Sequence, residues 1–312
     1  MGKKGHQAIP GFGAASRLAV PVMAAAGGSG RSTVAHLLAE ELAAAADTVV
    51  ADLAPRLTSP WPAWTGAAQA AGLAALSYDV PLSRSRIRAA AAVRRAPQGE
   101  WAVLTDGREW NAAPLRLPAQ AAAWYQLAAA GGWQVLVADT AHPVAHDLLA
   151  ARCSGAPSLT RAWCELPFTV PVLCARAGAD GVQALQQAVM VLHAEGLPLQ
   201  RTVVVLVAGS DGRLPAVARA AATMLSGRAA AVVHLPHDAD IRAHGLQAQP
   251  ARVRSRTRQA ARELATAVLC AAGHAFGDPL PDAPQPSPFP ALAAPAVAVP
   301  AFVAPAVVVP VV

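Results

Sequence analysis

AAAGGSGRSTVAHLLAEEL, residues 24–42, decides how this chain is read. Gly27, Gly28 and Gly30 let successive backbone N–H groups turn toward one point, Ser29 lies between them, Ser32 adds a hydroxyl, and the run from Thr33 to Leu42 has helix-forming composition. A glycine-rich turn that opens a helix is a phosphate cradle, because both the converging amides and the helix dipole favour an anion there. The apolar run LAVPVMA (18–24) just before it supplies the strand that such a loop requires. Two positions depart from the G-x-x-x-x-G-K-[ST] pattern: Ala25 stands at the opening glycine and Arg31 at the lysine. Arginine keeps the charge but replaces a compact ammonium with a planar fork.

Working outward, short apolar runs alternate with Ala-rich helical patterns: TVVAD (48–52), WQVLVAD (133–139), VPVLCA (170–175), TVVVLVA (202–208) and AAVVHLP (230–236). Uninterrupted apolar strands alternating with helices predict an α/β fold, P-loop NTPase-like, with a mostly parallel sheet covered by helices on both faces. Ligands of such sheets sit at the carboxyl ends of the strands. Two of these runs end in an acid, Asp52 and Asp139. A carboxylate at a strand tip beside a phosphate loop is where a phosphate-bound magnesium is held, so Ser32 and Asp139 are the expected magnesium ligands.

The order AAGGSGRST, VVADLAPR, VLVADTAHP, VPVLCARAGADGV and VVHLPHDADIRAHG, spanning roughly residues 18–272, resembles the MinD/ParA family of deviant P-loop ATPases. The resemblance implies ATP and Mg2+ as cofactors, a nucleotide-dependent homodimer, and a role in DNA partition or transfer or in positioning a cellular machine. The family's K-G-G-x-G-K-[ST] falls on Ala26, Gly27, Gly28, Ser29, Gly30, Arg31 and Ser32, so both family lysines are replaced. In the family's D-x-D-P stretch the first acid is Asp52 and the second position is Ala54. Arg31 and Asp52 are therefore the expected catalytic residues, with weak ATP hydrolysis. Arg56 or Arg176, each just beyond a strand, is a candidate to supply a compensating cation. His237, after the last strand, is expected to line the base. A hydrolysis-dead member that recruits a partner is the alternative reading.

Composition adds bounds. The chain has 312 residues, 54% of them hydrophobic, enough for one large core, and a net charge of +6. Its only lysines are Lys3 and Lys4, so arginine serves nearly everywhere that lysine could and the charge argues only weakly for nucleic acid. The four cysteines form no C-x-x-C pair, which indicates neither a disulfide framework nor a zinc site. No apolar signal segment opens the chain, and a cytoplasmic setting is expected.

Three divisions are expected: a flexible segment 1–17, a nucleotide-binding domain 18–275, and a Pro/Ala/Val-rich tail 276–312. The tail places prolines at 290, 295, 300, 305 and 310. Each interior proline costs a helix about 3 kcal/mol, so this apolar run is read as extended rather than membrane-spanning, and as a possible docking segment for a protein partner. Arg252, Arg254, Arg256 and Arg258 precede the last helical stretch and are the candidate contacts for nonspecific DNA. The Trp-rich segment 56–130 reads as helices with one strand around WAVLT.

Overall fold

The computed structural model describes residues 11–66, 72–76, 80–247 and 252–284. Eight strands form one sheet: β1 (Leu18–Ala24), β2 (Thr48–Asp52), β3 (Ala92–Ala96), β4 (Gly99–Leu104), β5 (Val135–Pro143), β6 (Val172–Arg176), β7 (Val203–Val207) and β8 (Ala231–Leu235). Their spatial order is β3-β4-β2-β5-β1-β6-β7-β8. All neighbouring pairs are parallel except β3 with β4, an antiparallel edge hairpin. The expected α/β sheet is thus observed, with one more strand than the Trp-rich segment predicted. AVRRA, whose alanines and arginines suit a helix, is held as β3 by pairing with β4, so tertiary context overrides local propensity.

The helices are α1 (Arg31–Leu42), α2 (Trp61–Thr65), α3 (Arg84–Ala90), α4 (Ala121–Ala130), α5 (Val144–Ser154), α6 (Leu159–Cys164), α7 (Ala179–Ala194), α8 (Ala216–Leu225), α9 (Ala239–His244) and α10 (Ser255–Phe276). Successive strand side chains point to opposite faces, and the core divides accordingly. Val20, Val22, Val50, Val137 and Val205 pack under α1 and α10, together with Trp61 and Trp64 of α2. On the other face Leu173, Val204 and Leu206 meet α7 and α8, while Val49, Leu136 and Leu104 meet α3 and α4. By the same alternation, Asp52, Asp139 and Arg176 leave their strand tips on the α1 side, next to Val50, Val137 and Cys174.

Residues 11–17, assigned in sequence to the lead-in segment, run against 278–284, assigned to the tail. Leu280 and Ala283 donate backbone N–H bonds to Gly11 and Ala15, and the Ser16 hydroxyl donates to the Leu280 carbonyl at 2.7 Å. The Pro-repeat segment of the tail, 285–312, lies outside the described residues.

Candidate functional site

The loop between β1 and α1 is built as the glycines require. Gly28 and Gly30 have φ of 71° and 74°, a left-handed conformation that side chains with a Cβ adopt rarely. A Cβ on Gly30 would stand 3.0 Å from Val207 Cγ1, so the tip of β7 presses on the loop from the far side. No neighbouring atom lies within 4 Å of where a Cβ on Gly27 or Gly28 would be, which leaves the loop open on that side. The Ser29 hydroxyl turns back to donate to the Ala26 carbonyl at 2.6 Å. Gly30 caps α1 without a side chain, and the first intrahelical bond runs from Val34 N–H to Gly30. The amides of Arg31, Ser32 and Thr33 are therefore the helix's unpaired donors, and all three residues are half-buried.

The acids at the strand tips sit side by side, since Asp52 and Asp139 are register partners of β2 and β5. Asp139 is fully buried. Its Oδ1 accepts from Arg31 Nε at 2.9 Å and its Oδ2 accepts from the Trp61 indole N–H at 2.8 Å. Each oxygen of the expected magnesium ligand thus already accepts from a protein donor, so a metal ion would have to share this carboxylate with Arg31 and Trp61 or displace one of them. The Ser32 hydroxyl has no partner among the described residues.

Asp52 is buried too. Its Oδ2 accepts from Thr105 at 2.6 Å and from Ser59 at 2.7 Å, and its Oδ1 accepts from the Ala54 amide. Burial pushes its carboxyl up to about 7 despite these bonds, and the neighbouring charge of Asp139 adds to the rise. Asp52, expected as a catalytic group, is therefore neutral or nearly so below that pH and held among hydroxyls.

Sequence reasoning missed Trp61, Ser59 and Thr105. Trp61 lies in a box of rings: it stacks on His36 of α1 at 5.9 Å and meets Trp64 and Trp101 edge-on at 5.3 and 6.1 Å. His36 is buried, and that burial together with the charge of Arg94 pulls its imidazole down to about 3, so it stays neutral. The signal was present in the W-P-A-W run at 61–64, in the segment that follows the Asp52 strand, but an aromatic run has no spacing that marks it as a partner for an acid.

The two candidate arginines separate. Arg56 is not free: it donates to Asp106 Oδ2 at 3.2 Å and to the carbonyls of Trp110 and Ala112, anchoring the loop after β4. Arg176 is exposed, and no partner is found for it among the described residues. It ends β6, whose Cys174 carbonyl accepts from the Ala25 amide at the start of the glycine loop. A Cβ on Gly209 would lie 3.2 Å from its Nη2, which places the guanidinium at the loop following β7.

His237 follows β8, on the β7 side of the loop. Its half-buried ring sets Nδ1 at 3.4 Å from Asp211 Oδ1 without completing a hydrogen bond. The arginine run also meets acids. The Arg254 amide donates to Asp238 at 2.9 Å and its Nε to Asp240 at 3.4 Å, and the Arg256 guanidinium lies 3.9 Å from Asp211. Arg252 and Arg258 are exposed. The acids supply the counter-charge that the sequence did not show for a basic run at a helix start.

No family model matches the chain, and no curated protein does. Among solved structures it is similar to the ParA family ATPase of Chlorobium tepidum TLS, at 14% identity and a TM-score of 0.52 over 80% of this chain and 99% of that one. It also aligns with the cell division protein MinD of Aquifex aeolicus, at 12% identity and a TM-score of 0.49 over 85% and 99% of the two chains. A third match is the septum site-determining protein MinD complexed with Mg-ADP from Pyrococcus horikoshii OT3, at 18% identity and 0.47 over 80% and 94%. Likeness at such identities is likeness of fold: the chain carries the P-loop NTPase-like sheet of the ParA family ATPase, the architecture expected from its strand order and glycine loop.

Proposed function

We propose that the chain is a ParA/MinD-like switch protein that binds ATP in the loop of Gly27 to Gly30 and dimerises on it. The observation that carries this reading is the open glycine turn at the tip of β1, with the unpaired amides of Arg31, Ser32 and Thr33 directed from the start of α1. Arg31 and the unpartnered Arg176 contribute positive charge around the phosphates. His237 and the loop after β7 lie on the side where the base would rest. The role this serves is DNA partition or transfer, or the positioning of a cellular machine.

Hydrolysis is expected to be slow. Water attack on a γ-phosphate needs groups that orient the water and neutralise the developing charge. Asp52 and Asp139 have their oxygens engaged, Arg56 is tied to Asp106, and Ala26 offers no cation to a second copy. These engaged groups also favour the second reading, in which nucleotide is held rather than cleaved and the chain works as a scaffold.

The test is ATP binding by calorimetry and single-turnover hydrolysis, with mass followed by light scattering in the same samples. Binding, slow or absent cleavage, and a shift from monomer to dimer are expected. The double substitution Arg31→Ala with Ser32→Ala should abolish binding without unfolding the protein, and unchanged binding by that variant would exclude this loop. If the arginine run contacts DNA, binding should weaken by about a thousandfold or more between 50 and 200 mM salt for some six phosphate contacts. Replacing Arg252, Arg254 and Arg256 by alanine should flatten that slope, and a salt-independent response would reject DNA as a partner of this surface.

A further inference from the structure

Arg31 and Asp139 stand where a lysine and a metal-holding acid would be expected, yet they are bonded to each other. The bond uses only Nε of the guanidinium. Neither Nη group has a partner among the described residues, and the side chain keeps 19% of its surface exposed. A guanidinium can hold a carboxylate with one edge and present further N–H donors from another, whereas an ammonium is a single point of charge. The acid is held from its other side as well, because Trp61 donates to its second oxygen. Trp61 has no accessible surface and is wedged against His36, Trp64 and Trp101, so that donor is fixed by the core.

We propose that this cradle holds phosphate without a divalent cation. Asp139, instead of serving a metal, orients Arg31, whose Nη groups meet the phosphate oxygens directly; one arginine stands in for both the lysine and the ion. This rests on the nucleotide reading above for its location but concerns only how the anion is held. The ligand class is a polyphosphate chain, free or carried on a nucleoside.

The test measures affinity of the full chain for ATP and for inorganic tripolyphosphate by calorimetry, with magnesium and with excess EDTA. The expected result is a dissociation constant for both probes that changes by less than about twofold when the metal is removed. Arg31→Lys, which restores the residue typical of such loops, is expected to weaken binding in EDTA by about tenfold or more and to make it magnesium-dependent. Binding by the parent chain that falls tenfold in EDTA would overturn the inference and leave the nucleotide reading intact. Tripolyphosphate binding without metal but no preference for ATP would uphold it and remove the nucleotide reading. Failure of both probes in both buffers would remove both. An Arg31→Lys chain that binds equally well in EDTA would show that the fork is not what replaces the metal.

Discussion

Asp52→Asn is expected to gain stability over the parent chain as the pH rises, by on the order of 4 kcal/mol between about pH 4 and pH 8. In the folded chain the Asp52 carboxyl keeps its proton to about pH 7, whereas the unfolded chain releases it near 3.8. Across that window folding takes up a proton, so the stabilising share of this group is complete below 3.8 and lost as the pH climbs through 7. Asparagine resembles the protonated acid in shape and donors and carries no such penalty. His36 works in the opposite sense. Its folded value of about 3 lies below the unfolded 6.5, so its contribution is present above 6.5 and is lost as the pH falls toward 3. Between roughly 4 and 6.5 the two slopes oppose each other in the parent chain, and Asp52→Asn uncovers the histidine. Urea unfolding of both chains at about pH 4.5, 6 and 8 measures this, and a parent-to-variant difference that stays constant across the three would show that Asp52 titrates normally.

Trp61→Ala is expected to cost about 3 to 5 kcal/mol through lost packing, because the ring is wholly buried against three others. Removing the indole N–H also leaves Asp139 Oδ2 without its donor, at a further cost of about 1 to 3 kcal/mol. Against a typical total of 5 to 15 kcal/mol, this change brings the fold close to its limit. Trp61→Phe separates the two contributions by keeping most of the ring while losing the donor. A loss below about 1 kcal/mol for the alanine variant in urea unfolding would mean that the ring box is not part of the core.

Much of the sheet was legible because its signals are local. β1, β2, β5, β6, β7 and β8 each contain a short continuous apolar stretch, and the glycine turn before Arg31 states its own geometry. The β3 strand was not legible, since AVRRA has no apolar continuity and exists by pairing with β4. At the site, the positions of Arg31, Ser32 and the two acids followed from the motif and the strand ends. Their bonding did not: sequence order does not reveal that Arg31 turns onto Asp139, that a tryptophan 78 residues away donates to the same carboxylate, or that Thr105 and Ser59 close over Asp52. Arg56 and Arg176 looked alike in sequence, each just past a strand. The Asp106 carboxylate and the Trp110 and Ala112 carbonyls around Arg56 distinguish an anchor from a cation without a partner among the described residues.

The strap that binds residues 278–284 to residues 11–17 fixes where the rest of the chain is tethered. Ala283 is held at Ala15, ahead of the start of β1, whereas the glycine loop follows the end of the same strand. Seven residues of strand separate the two by about 23 Å. Pro284, where the described residues end, therefore lies toward the end of the sheet opposite the cradle, a strand's length away from the glycine loop.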